Sequence, residues 1–217
     1  MMTHTGSQLA VLLVVLTNFG VLGTSRLSAC IRAVGAQGLL LGVLPLLLAP
    51  HVGLHAIGLA AGTVAVKTVA LPWFLSWAIR EASVRREVEP IVGYTASLLL
   101  GTAALALAFG IAARLPLPPH AGGSEPLLVP VSLATLFTGF AVLVTRRKAL
   151  TQVVGYLMLE NGIFALALVA TYGLPAIVEI GVFLDVLAIV LIMEAVVLRI
   201  RREHDSIEVD RLRELRG

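Results

Sequence analysis

The chain has 217 residues, of which 58% are hydrophobic and only 13% charged, and its mean hydropathy is +0.96. Soluble domains carry about 45–50% apolar and roughly 25% charged residues, so the composition excludes an ordinary soluble fold and indicates an all-α, polytopic membrane helical bundle. The net charge is +3, but the basic residues cluster in short stretches between apolar runs, which is a signal of membrane topology rather than of nucleic-acid binding.

Seven apolar segments are expected to be transmembrane helices, at about 8–24, 33–50, 54–79, 91–113, 127–145, 149–172 and 176–199. Each reaches across about 30 Å of hydrocarbon, for which a helix needs roughly 17–25 residues. Unbroken apolar runs favour helices, because a membrane barrel alternates apolar and polar positions.

The first segment follows MMTHTGSQ, which has no basic residue ahead of the apolar run. A cleaved leader normally has one, so a retained helix is expected. The turn after it carries Arg26 and Arg32, flanking Cys30. A single cysteine excludes an internal disulfide and a Cys-ligated zinc or iron–sulfur centre within this chain. The histidines are His4, His51, His55, His120 and His204, and their spacing compels no metal site.

The third segment holds Lys67 and Pro72, with Trp73 and Trp77 toward the end that carries Arg80, Arg85 and Arg86. An aromatic belt explains the two tryptophans. The stretch 114–126, RLPLPPHAGGSEP, is rich in Pro and Gly and reads as an irregular outer loop. It divides the chain into a four-helix part, 1–113, and a three-helix part, 127–199. The fifth segment ends in Arg146, Arg147 and Lys148, and the tail 200–217 mixes both charge signs. Fourteen of the sixteen Lys and Arg residues thus fall on one side of the bundle. The basic side is cytoplasmic, which puts the N-terminus outside and the C-terminus inside.

Five ionisable residues fall within apolar segments: Lys67, Glu160, Glu179, Asp185 and Glu194. An intramembrane charge costs about 2.5–3.5 kcal/mol by insertion measurements, so such residues face protein or water and mark ion pathways by default. Glu160 stands near the middle of its segment, beyond reach of either interface. Desolvation there favours its protonated form unless a cation is close. Asn161 beside it can hold a neighbouring water or carbonyl, and Gly162 allows close helix approach. On the last segment Glu179 and Glu194 lie about 60° apart around a helix, whereas Asp185 points about 180° from Glu194. Asp185 is therefore the deep relay candidate, and a place at the interface or against a partner protein suits the other two equally well. Lys67 either exchanges a proton with a nearby carboxylate or forms a static Lys–Glu pair. Pro72 frees backbone carbonyls close to it.

Several stretches together resemble hydrogenase-4 component E, a multi-span subunit of membrane-bound hydrogenase and formate-hydrogenlyase-type complexes. They are SRLSACIRAVGAQGLLLGVLP (25–45), VKTVALPWFL (66–75), RREVEPIVGYTASLLLG (85–101), RRKALTQVVGYLMLENGIFALAL (146–168) and VEIGVFLDVLAIVLI (178–192). The last three helices are similar to subunit K of NADH-quinone oxidoreductase and to its small counterpart in multi-subunit sodium/proton antiporters. The closing RLRELRG also resembles the end of subunit K. Subunit K-type chains carry membrane glutamates in a lateral proton path. The resemblance implies that Glu160 supplies the first, one turn after the position where the family's Gly-Leu-Glu is replaced by Gly155-Tyr156-Leu157. Asp185 matches the second better than Glu194.

The resemblance implies a non-redox subunit, with no cofactor and no metal, in a bacterial inner-membrane oxidoreductase complex. Its implied partners are antiporter-like membrane subunits and a quinone- or hydrogenase-module connector, within the lipid bilayer and without nucleic acid. It would contribute to proton or sodium translocation through Glu160, Asp185 and Lys67. The competing expectations are a purely architectural subunit, whose acids only hydrogen-bond partner helices, and a stand-alone secondary transporter. No internal repeat supports the transporter.

Overall fold

The computed structural model describes residues 2–48, 53–81, 91–115, 126–170, 187 and 189–194. In chain order these form α1 (Met2–Gly23), α2 (Leu27–Leu48), α3 (Leu54–Val64), a π-helical segment (Ala65–Ala70), α4 (Leu71–Glu81), α5 (Tyr94–Ala112), α6 (Leu128–Thr145) and α7 (Ala149–Ala170). The π segment joins α3 to α4 without a break, so these three make one rod. Among the described residues, six helices are long and apolar enough to cross a bilayer. Of the expected seventh segment, 187 and 189–194 are described and helical. The rest of it, with Glu179 and Asp185, and the tail 200–217 lie outside the described residues, as do most of 114–126.

Two helix starts differ from the sequence expectation: α1 begins at Met2, six residues before the expected position 8. Helix α2 begins at Leu27, six residues earlier than hydropathy places it, so Arg32 is an exposed helical residue rather than part of the turn. A single exposed arginine near a helix end lowers a hydropathy average without interrupting the backbone. Helix α2 also contains Pro45 near its C-terminal end, close to where the helix stops.

The turn after α1, the start of α5 and the α6–α7 turn meet at one end of the bundle. Ile91 N–H donates to Thr145 O at 2.9 Å, and the Arg146 guanidinium donates to Leu22 O at 3.3 Å. Arg26, Arg146, Arg147 and Lys148 are gathered there. The grouping of basic residues is therefore a property of the fold as well as of the sequence.

Helices α6 and α7 are antiparallel and pack backbone against backbone. A Cβ on Gly155 would stand 2.6 Å from Leu143 N, and one on Gly162 would stand 2.5 Å from Leu136 N. Without hydrocarbon burial to drive association between helices in lipid, small residues that admit such contact supply the packing energy. Helix α5 is peripheral: Leu99, Leu107 and Phe109 are exposed on it, as expected of a face turned to lipid or to another subunit.

The buried apolar side chains form two separate clusters. One, at the end with the basic turns, contains Leu22, Leu27, Ile31, Leu75, Val142, Leu157 and Met158. The other contains Val11, Val14, Leu41, Leu44, Val131 and Phe164. Along α1, α2, α6 and α7 the residues between the clusters are polar and buried: Asn18, Gln37, Thr135, Thr138, Glu160 and Asn161. The core is thus a polar layer between two apolar caps.

Candidate functional site

The polar layer is built around Lys67, which is 4% exposed, and Glu160, which is 1% exposed. Lys67 comes from the π segment and Glu160 from α7. The Lys67 ammonium donates directly to Glu160 Oε2 in a buried salt bridge. It also faces Asn161 Oδ1 at 3.4 Å and lies 5.5 Å from the centre of the Phe164 ring. The Lys67 side chain thus has a carboxylate, an amide oxygen and an aromatic face around it.

Local sequence explains why Lys67 can be there. Pro72 lacks an N–H, and its ring would crowd the carbonyl of Thr68 in a regular α-helix. The chain widens ahead of it instead: the amide of Leu71 reaches back to Val66 O, the i→i−5 bond of a π turn. Such wide turns are frequent at functional sites. The π segment is pressed against α2 at Gly38, where a Cβ would stand 2.6 Å from Lys67 Cβ. Gly38 therefore lets the lysine backbone sit directly on α2 while its side chain runs on to α7.

From Asn161 the polar contacts continue away from the ion pair. Asn161 Nδ2 donates to Gln37 Oε1 at 3.3 Å. Gln37 Nε2 donates to Asn18 Oδ1 at 2.7 Å, and Asn18 Nδ2 donates to Thr135 Oγ1 at 2.9 Å. The Thr135 hydroxyl donates to Val131 O at 2.8 Å. The chain of contacts therefore links the π segment, α7, α2, α1 and α6.

Of the residues singled out from sequence, Lys67, Glu160 and Asn161 come together in one site. Glu194 is described and is exposed on its helix, away from this layer. Asp185 and Glu179 lie outside the described residues. Asn18, Gln37 and Thr135 were missed, although Asn18 in VVLTNFG and Gln37 in VGAQGLL are polar intruders in apolar runs and gave that much signal. Arg146 was read as a basic turn residue, yet it is 1% exposed. Among the described residues its Nε and Nη1 lack hydrogen-bond partners, while its Nη2 donates to Leu22 O near the C-terminal end of α1. Burial pulls its pKa below the ordinary arginine value, and the nearby Cys30 and Tyr94 oppose that shift. Among the described residues, no three His, Cys, Asp or Glu side chains stand together as a metal site would require.

The chain is 40% identical over 195 residues to the uncharacterized protein Rv0085 of Mycobacterium tuberculosis, covering 88% of this chain and 86% of that one. The chain belongs to the Rv0085 family. It is also 27% identical over 158 residues to hydrogenase-4 component E of Escherichia coli K12, covering 73% of this chain and 72% of that one. The same identity and coverage hold for component E of Shigella flexneri. Residues 127–217 match the family of NADH-ubiquinone/plastoquinone oxidoreductase chain 4L, a stretch that opens at α6 and includes Glu160. No solved structure matches the chain. This member of the Rv0085 family is therefore a membrane protein related to hydrogenase-4 component E and, in its C-terminal region, to a membrane chain of complex I.

Proposed function

We propose that the protein is an integral, non-redox subunit of a complex-I-related, hydrogenase-4-type respiratory complex of the bacterial cytoplasmic membrane. In this reading it has seven spans, with its N-terminus outside and its C-terminus in the cytoplasm. It contacts antiporter-like subunits on one side and a quinone- or hydrogenase-module connector on the other. It contributes to translocation of protons, or of sodium ions, alongside them. The observation that carries this reading is the Lys67–Glu160 pair, buried between two apolar caps, whose glutamate lies in the stretch related to chain 4L. A membrane-buried acid and base in direct contact can exchange one proton without passing through water. Asp185, and after it Glu194 and Glu179, are the further relay residues in this scheme, with Asn161 supporting the pair.

The test is Glu160→Gln. The neutral amide keeps the shape and the contact to Lys67 but cannot carry the proton. The complex should assemble, keep its electron transfer and lose most of its coupled proton uptake in proteoliposomes. Normal pumping by an assembled Glu160→Gln complex removes the pair from the path. A buried salt bridge can also be purely architectural, and the hydrogen bonds that tie Asn161, Gln37 and Asn18 to one another favour that second reading. It requires acid-to-amide changes to lower the yield of intact complex on blue-native gels while coupling per complex stays unchanged.

A further inference from the structure

We infer that Gln37, with Asn18 and Thr135 behind it, is a positioning chain that holds the proton of the buried pair on Lys67 and keeps Glu160 ionised. The inference rests on the reading of Lys67 and Glu160 as a proton-exchanging pair, and adds what sets the resting position of that proton.

The hydrogen bonds of the chain have a direction. An ammonium group donates and has no acceptor. Asn161 must therefore turn Oδ1 toward Lys67 and its NH2 away. That NH2 finds Gln37 Oε1, which turns the Gln37 NH2 away in its turn, and the same holds for Asn18. At the far end the Thr135 hydroxyl hydrogen is taken by Val131 O, one helical turn back on α6. The hydroxyl oxygen is then left as an acceptor, the one role Asn18 Nδ2 can use. Every bond from Lys67 to Val131 points the same way, and every amide presents its negative end toward the ammonium.

Aligned bonds polarise one another in a low-dielectric interior, and their effect is strongest where water cannot compete. Asn18, Gln37, Thr135 and Asn161 are each at most 3% exposed, and the apolar caps close the layer on both sides. If the proton moves from Lys67 Nζ to the Glu160 carboxylate, a neutral amine and a neutral acid result, and nothing else changes. The new acid O–H then donates to the amine lone pair along the same contact, and the amine keeps N–H groups for Asn161, so no hydrogen bond is lost. What is lost is charge: Asn161 Oδ1 and the aligned amides behind it face a positive ammonium before the transfer and a neutral amine after it. The chain thus opposes the transfer, so that an outside event must drive it. Among the described residues, the titratable group facing Lys67 is Glu160 on α7. Asn161 and Phe164 face it from the same helix, and α2 presents Gly38.

The experiment is infrared difference spectroscopy on the purified complex that contains this chain, with the carboxylic-acid carbonyl band of residue 160 identified by its loss in Glu160→Gln. In the wild type that band should be essentially absent. Gln37→Met, close in shape but unable to bridge Asn161 to Asn18, should raise the protonated fraction of Glu160 about tenfold, the scale of a hydrogen bond serving a charged group. Thr135→Val should raise it less, and Thr135→Ser should match the wild type. The inference is overturned if Glu160 stays ionised in an assembled Gln37→Met or Thr135→Val complex, or if the wild type already shows the acid band. Should Gln37→Met fail to assemble, the Thr135 series decides alone. Failure of the relay reading is a separate result, because it appears as normal pumping by Glu160→Gln whatever the spectra show.

Discussion

The polar middle of the bundle and the apolar caps that enclose it solve the same packing problem by different means. In the caps, Leu, Val, Ile and Met side chains fill space, and each tolerates a neighbour of similar size. In the middle layer, each group has its place because a donor must meet an acceptor. A side chain removed from a cap leaves a hole. One removed from the middle leaves a charge or an amide with nothing to bond, in a region water does not reach. The middle layer is therefore the specific part of the core and the caps are its insulation.

The strongest way to break this contrast is Lys67→Met, which leaves Glu160 buried without its cation. Loss of one partner of a buried pair costs about 3–5 kcal/mol, so the detergent-solubilised complex should melt many degrees lower and assemble poorly. Adding Glu160→Leu should restore most of that stability by turning the middle into more cap, while coupling stays lost. A double variant as unstable as the single one would show that the layer owes its stability to something besides the pair. Next in size is Leu157→Ala in the cap, expected to cost about 2–5 kcal/mol through the cavity it opens. Here thermal stability should fall while the ratio of protons moved to electrons transferred stays at the wild-type value. A fall in that ratio would mean that the cap takes part in the chemistry. The smallest expected effect is Gly38→Ala. Overpacking there costs about 1–3 kcal/mol, offset in part by the better helix propensity of alanine. Because the added methyl meets Lys67 Cβ, coupling should drop more than stability does. Equal pumping by Gly38→Ala would show that the lysine position is not finely set.

The sequence makes the ingredients of the site visible but not its assembly. Lys67 and Glu160 stand out because a charge within a long apolar run needs a reason. Nothing in their spacing shows that they touch, since 93 residues and a reversal of chain direction separate them. Asn18 and Gln37 are harder to see, because a neutral amide disturbs hydropathy far less than a carboxylate does. The π turn was half legible: Pro72 announces a disturbed backbone, but whether the helix kinks or widens is not written in its spacing, nor is the close packing of Gly38 on Lys67. Arg146 misleads for a physical reason. Basic turns are usually solvated, and only the tertiary fold shows that this one is drawn under the end of α1. Run lengths fix most helix ends, but α1 and α2 each start six residues before hydropathy places them, because polar residues there lower the average without interrupting the backbone.

The glycine contacts have a mechanical side. Helices α6 and α7 touch through their backbones at Gly155 and Gly162, and α2 meets the π segment and α3 closely at Gly38 and Gly42. Each of these is a stiff pair, like two planks glued face to face. Lys67 to Glu160 and Gln37 to Asn161 run from one glued pair to the other. Any rocking between the planks would therefore be felt first at those two joints. A push delivered by a neighbouring protein to either pair would reach the proton before it deformed the wood.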